Sequence, residues 1–252
     1  MRTNIKTAGK DMPSPSGRAA IESLPVSPAQ GKIPLQPDPP NFRPLFRLAD
    51  GLSLVLASAS PRRRSFLEEW GLPFVIARPG GAEPAPLPGE PPVAYAGRAA
   101  QAKAHATLSS LEPEIRCRSL IVAADTVVAL GESILGKPRD MADAIAMLQR
   151  LTGRGHEVIT AVCLLLPQST SRHTEEIFSD TSRVFFHPWP LPLLTAYAAT
   201  GEPTDKAGAY AIQGQGAFLV ERLEGSWSTV VGLPVTLLAA RLLEYGCIFP
   251  VD

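Results

Sequence analysis

The sequence predicts an α/β fold, a mixed sheet flanked by helices. Three observations carry that expectation. Apolar runs of strand length (Leu52–Ser58, Leu120–Leu130, His156–Leu166) alternate with segments of helical period (Pro61–Trp70, Pro92–Leu108, Pro234–Tyr245). Start and stop residues stand at the ends of several helical segments. No internal repeat is present, so the elements belong to one main sheet and its cover.

In chain order, residues 1–50 are rich in proline, serine and charge, and no period persists. Such a segment buries too little apolar surface to offset its conformational entropy, so it is expected to be a mostly disordered tail. The folded domain, residues 51–252, then begins near Leu52. Leu52–Ser58 reads as a buried strand. Pro61–Trp70 is a helix with Ser60 as N-cap, Pro61 at its first position and Gly71 just beyond its end. Phe66, Leu67 and Trp70 form its core stripe, which places Arg63 over the end of the sheet. Phe74–Ala77 is a short strand, followed by a Pro/Gly-rich loop with Glu83 and Glu90. Pro92–Leu108 is a helix with Lys103 near its middle.

Leu120–Leu130 is an apolar run broken only by Asp125 and Thr126. Ile134-Leu135 begins a return strand that ends at Gly136-Lys137-Pro138. Asp140 caps a helix with Ala144, Met147, Leu148 and Leu151 toward the core, and Gly153 stops it. His156–Leu166 and Glu176–Phe186 read as neighbouring strands, Leu191–Ala199 as a helix and Phe218–Leu223 as a strand. Pro234–Tyr245 is the final helix, ended by Gly246.

Composition excludes several classes. The 24 basic and 24 acidic residues cancel, which argues against non-specific nucleic-acid binding. No apolar stretch reaches the roughly 20 residues that span a bilayer, and no secretory h-region is seen near the start. Three widely spaced cysteines suggest a reducing compartment. A soluble, cytoplasmic protein is expected. The histidines lack zinc-ligand spacing, and the P-loop, dinucleotide and serine-hydrolase motifs are all missing.

The residues that could carry chemistry fall in three clusters. In Leu54-Val-Leu-Ala-Ser-Ala-Ser60-Pro-Arg62-Arg63-Arg64, a strand hands over to a helix N-terminus flanked by arginines. Free N–H groups, the helix dipole and fork-shaped guanidinium donors would grip a polyphosphate; the bland alternative is a solvated turn. Asp125 is a lone carboxylate in an apolar strand, costly unless paired or working. It either binds a metal, accepts a proton or caps a strand end. Lys103, Lys137 and Glu83 complete a mix suited to a triphosphate: cations for phosphates, carboxylates for a divalent ion, a base for water. In Asp205-Lys-Ala-Gly-Ala-Tyr-Ala-Ile-Gln213-Gly, small residues permit close ligand approach and Gln213 can both donate and accept.

These clusters, in this order, resemble the Maf family of nucleoside triphosphate pyrophosphatases. The matching pieces are Leu56-Ala-Ser-Ala-Ser-Pro-Arg-Arg-Arg64, Ala123-Ala-Asp-Thr-Val-Val128, Gly136-Lys-Pro-Arg-Asp-Met-Ala-Asp-Ala144, Gly153-Arg-Gly-His-Glu-Val-Ile-Thr160, Asp205 to Gly214 and Val230-Val-Gly-Leu-Pro234. The resemblance implies a Maf/ITPase-like fold of two lobes with a central cleft. It implies hydrolysis of the α–β phosphate bond of a nucleoside triphosphate, with dTTP and UTP preferred and modified pyrimidine triphosphates as further substrates. It implies a divalent cation, Mg²⁺ or Mn²⁺, and a homodimer. Asp125 takes the proton-acceptor position and, with Glu83, the metal. Arg62, Thr126 and Gln213 fall where substrate choice is set, and Ser60, Arg63, Lys103 and Lys137 at phosphate positions. Ala82, Ala161 and Thr229 stand where the family commonly has an acid, a glycine and an asparagine. The alternatives are a non-catalytic nucleotide-binding regulator of cell division and the same chemistry on 7-methyl-GTP. Arg64 has no role in the pattern and reads as a solvated helix residue.

Overall fold

The apolar run around Asp125 forms strand β4 (Ser119–Leu130), buried on both faces at the middle of the sheet. The computed structural model describes residues 43–78, 80, 83–168 and 173–251. The expected tail up to residue 42, and Ala82, lie outside the described residues.

Before β4 come β1 (Phe46–Leu48), β2 (Ser53–Ala57), α1 (Pro61–Glu69), β3 (Phe74–Ala77), α2 (Pro92–Ser110) and the single turn α3 (Pro113–Arg116). After it come β5 (Ser133–Leu135), α4 (Met141–Leu151), β6 (Gly155–Pro167), β7 (His173–Phe186) and α5 (Leu191–Ala199). Three 3₁₀ turns follow (Glu202–Asp205, Ala207–Ala209, Gly214–Leu219), then β8 (Val220–Glu224), α6 (Trp227–Val231), α7 (Val235–Glu244) and β9 (Ile248–Pro250).

The main sheet runs β3-β2-β4-β6-β7-β8, with β5 paired to the far end of β4. β2 is parallel to both β3 and β4, while β6, β7 and β8 continue antiparallel. β2 pairs as far as Ala57 opposite Ala123, yet β4 runs on to Leu130. Asp125 and Thr126 therefore lie past the carboxyl end of β2, at the crevice where ligands enter open α/β sheets. Strand alternation sends them to opposite faces. Ile121, Ala123 and Val127 pack with α2, whereas Leu120, Val122 and Ala124 pack with Leu67 of α1 and Leu238 and Leu242 of α7.

The helix ends follow the sequence signals. The Asp140 carboxylate accepts the Asp143 amide at 2.8 Å. Ala144, Leu148 and Leu151 of α4 are buried and Met147 packs beside them. Gly71 has φ +72°, and a Cβ there would lie 2.5 Å from the Pro44 Cα, so the turn after α1 needs glycine.

Two expectations are corrected, and one element is added. The ordered body begins before Leu52: β1 pairs antiparallel with β9, Phe46 opposite Pro250, and Phe46 packs edge-on to Trp70 at 5.4 Å. Neither strand is long enough to show a period, and their partners lie at opposite ends of the chain. Phe218 and Leu219 belong to a 3₁₀ turn, with β8 starting at Val220. There Phe218 packs edge-on between Trp189 and Tyr197, a contact that outweighs its strand propensity. Trp227–Val231 forms a helix, whose last two residues open the Val230–Pro234 motif. Five residues are too few for a helical period.

Candidate active site

The cleft at the end of β2 has a volume of about 730 Å³, and every residue singled out from the sequence lines it: Ser60, Arg62, Arg63, Glu83, Lys103, Asp125, Thr126, Lys137 and Gln213. The turn between β2 and α1 supplies Ser60, and the first turn of α1 supplies Arg62 and Arg63. Lys103 comes from α2, Asp125 and Thr126 from β4, Lys137 from the turn after β5, and Gln213 from the start of the last 3₁₀ turn.

The face toward α2 carries charge. Lys103 Nζ bonds Asp125 Oδ1 and lies 3.2 Å from Glu83 Oε2, so one ammonium bridges two carboxylates. Asp125 is 4% exposed, and its Oδ2 is buried without a hydrogen-bond partner. Burial pushes the Asp125 carboxyl above its ordinary value, against the pull of Lys103. Tyr95 Oη donates to Glu83 Oε1 at 3.4 Å, and burial, with the charge of Glu83, pushes the phenol up to about 12. The Glu83 loop is clamped to α2. Arg98 Nε and Nη2 meet Glu90 Oε1 and Oε2 at 2.7 and 2.6 Å, and Nη2 also donates to the Ala85 carbonyl at 2.9 Å. The Arg98 guanidinium holds the Glu90 carboxyl down at about 2. Lys137 is exposed at the cleft and has no ion pair among the described residues.

The opposite face carries hydroxyls, amides and guanidiniums. Arg63 donates to the Gly232 carbonyl at 2.7 Å, to Thr126 Oγ1 at 2.9 Å and to Ser58 Oγ at 3.3 Å. Burial lowers its pKa, offset in part by Asp125. Three of its five N–H groups are thus given to protein, and two remain for a ligand. Gly232 sits at φ +124°, a conformation that brings its carbonyl to Arg63 and that L side chains rarely adopt. Arg62 Nε reaches the Val231 carbonyl at 3.3 Å. The Gln213 loop is tied down by Glu202, whose carboxylate accepts the Gln215 and Gly216 amides at 2.9 and 3.0 Å and the Tyr197 hydroxyl at 2.9 Å. Arg64 points away and pairs with Glu68 on the exposed helix face.

Ser60 occupies the N-cap of α1, but its side chain makes no capping bond. Its amide donates to Ser58 Oγ at 3.2 Å. The first-turn amides have no intrahelical acceptor and are available to an anion.

Sequence reasoning missed Ser58, Tyr95 and Thr160, which support the site. Ser58 and Thr160 lie inside quoted motifs, but serine and threonine at a strand end or interior carry no signal of their own. Tyr95 fits an amphipathic helix as core. Among the described residues no group of three or more His, Cys, Asp or Glu side chains could hold a metal ion.

A sheet crevice with cations on both walls and a buried, partly uncommitted carboxylate defines an α/β enzyme that handles phosphate groups. The family model described as Maf-like protein matches residues 53–245. A dTTP/UTP pyrophosphatase of Nitratidesulfovibrio vulgaris is 50% identical over 202 residues, covering 79% of this chain and 92% of that protein. Proteins of the same name from Oleidesulfovibrio alaskensis and Myxococcus xanthus are 48% and 46% identical, covering 78% and 80% of this chain and 87% and 97% of their own. The chain belongs to the Maf-like protein family.

Proposed function

We propose that the protein is a nucleoside triphosphate pyrophosphatase that hydrolyses dTTP and UTP, and modified pyrimidine triphosphates, to the monophosphate and pyrophosphate. The observation that carries this is Asp125: a buried carboxylate with one free oxygen, facing a cleft lined by Arg62, Arg63, Lys103 and Lys137. Relatives 50% and 48% identical over 202 and 197 residues are named dTTP/UTP pyrophosphatases.

In this mechanism the first-turn amides of α1, the two spare N–H groups of Arg63, Lys103 and Lys137 hold the phosphate oxygens. Asp125 takes a proton from water as the water oxygen attacks the α-phosphorus. The bond from that phosphorus to the α–β bridging oxygen breaks, and its electrons leave with pyrophosphate. Burial raises the pKa of Asp125, which makes its ionised form a stronger base than an exposed carboxylate. Arg62, Thr126 and Gln213 line the same cleft, where they select the nucleoside.

Two carboxylates suit a divalent ion that takes the rest of its ligands from water and phosphate, and the orphaned Asp125 Oδ2 is a free donor for it. Glu83 and Asp125 would hold Mg²⁺ or Mn²⁺, which when bound neutralises charge on the triphosphate. We extend the proposal to a homodimer in the cytoplasm; the three unpaired cysteines fit a reducing compartment. No described helix is long and apolar enough to cross a membrane.

Incubating the protein with dTTP and Mg²⁺ is expected to release pyrophosphate and dTMP. Release of orthophosphate, or binding with no turnover at any metal concentration, would overturn the proposal.

A further inference from the structure

Beneath the cleft, a hydrogen-bond chain has its direction fixed from one end. The Thr229 carbonyl can only accept, and it lies 2.7 Å from Thr160 Oγ1. Thr160 therefore places its single proton there. Thr160 Oγ1 is 2.9 Å from Thr126 Oγ1, and with its own proton engaged it must be the acceptor of that pair. Thr126 is then the donor. Arg63 Nη2 also donates to Thr126 Oγ1, at 2.9 Å. Thr126 is left with no proton for the cleft and one free lone pair.

Position says what that lone pair faces. Asp125 and Thr126 project to opposite faces of β4, and the carboxylates, Lys103 and Tyr95 are on the α2 side. Thr126 is on the other side, tied through Arg63 to Gly232, beside the Val231 carbonyl that holds Arg62. Arg62, Gln213 and Val231 also share a small cavity with Trp227. Arg63 gives its spare N–H groups to the phosphates from this wall, and Arg62, Gln213 and Thr126 are the groups there that the proposed function assigns to the nucleoside. Thr160 is fully buried and does not line the cleft.

We propose that Thr160 is a specificity-determining positioning residue. It makes Thr126 an acceptor only, so the cleft favours a base edge that presents a donor, the ring N3–H of uracil or thymine, over the bare N3 lone pair of cytosine. This rests on the pyrimidine triphosphate activity proposed above and adds the group that tunes it. Thr229 takes part through its backbone alone. Its hydroxyl is turned away to Asp180 Oδ2.

The test is kcat/KM for UTP, dTTP and CTP with the wild-type protein, Thr160→Val and Thr160→Ser. Valine keeps the shape and removes the hydroxyl, so the Thr126 proton becomes free to turn into the cleft and donate to cytosine. The UTP-over-CTP ratio is expected to fall roughly tenfold, the effect of about one hydrogen bond. The change should sit in KM, with the acid limb set by Asp125 unmoved. Serine restores the chain and should restore the wild-type ratio. A Thr160→Val ratio equal to that of the wild type overturns the proposal, as does a wild-type ratio near one. If melting shows that Thr160→Val does not fold, Thr126→Val decides the matter. It deletes the acceptor, so an unchanged ratio in that protein also overturns the proposal. A wild-type protein that cleaves none of the three triphosphates is a separate result: the pyrophosphatase activity itself fails, and the proposal falls with it.

Discussion

Asp125 is held in a state that suits catalysis and costs stability. Its folded pKa is raised, so the group favours folding at low pH and loses that contribution as pH rises through the folded value. An Asp125→Asn protein escapes the loss. It should melt at an equal or higher temperature at neutral pH, while turnover of dTTP drops by roughly 10²–10⁴-fold for want of the base. An Asp125→Asn protein with full activity would remove the mechanism. Because Asp125 must be ionised to work, kcat/KM should fall on acidification at a pH above the ordinary carboxylate value of 3.8. A pH–rate profile checks this. At this scale the sequence was informative where a residue breaks its surroundings. A carboxylate inside Ala-Ala-Asp-Thr-Val-Val announces itself. Thr160 does not, since threonine is an ordinary strand residue, and only its neighbours on β4 and α6 give it a role.

Among the elements, the loop from Glu83 to Glu90 depends most on a partner. Single surface ion pairs contribute little, but Arg98 makes a two-pronged bond to Glu90 and also holds the Ala85 carbonyl. Removing it in Arg98→Ala should loosen the segment carrying Glu83 and raise the Mg²⁺ concentration for half-maximal activity several-fold. Arg98→Lys should not rescue it, because an ammonium cannot reproduce the fork. A metal titration with melting curves alongside distinguishes this from general unfolding. The turn after α1 is equally constrained. Gly71→Ala adds a Cβ at positive φ and against Pro44, so it should cost about 1–3 kcal/mol by urea unfolding. Helix α4 was legible because its cap, stripe and stop are all local: Asp140, Leu148, Gly153. Helix α6 and strands β1 and β9 were not. Each is held by contacts from far along the chain, as Phe46 is by Trp70 and Pro250.

For the whole molecule, the core between β6, β7 and the 3₁₀ turns sets a pH limit. His156 is buried against Phe186 and Tyr210, its Nε2 bonded to the Tyr210 hydroxyl at 2.8 Å. Burial lowers its pKa from 6.5 to about 4. The unfolded chain binds a proton that the folded one refuses, so stability is lost as pH falls from 6.5 toward 4. The loss is of order 3 kcal/mol at most, opposite in sign to the contribution of Asp125. Denaturant melts across that range should show the decline, and His156→Gln should flatten it.

The sequence by itself determined the α/β class, the order of most elements and the residues able to do chemistry, because strand and helix periods, caps and a misplaced carboxylate are local facts. Tertiary structure alone decided that those residues line one cleft, that Arg63 is shared between fold and ligand, and which way the Thr126 hydroxyl points. Hydrogen-bond direction depends on partners brought together from afar, Arg63 with Gly232 across 169 positions and Thr126 with Thr160 across 34. No local pattern encodes a partner at that distance.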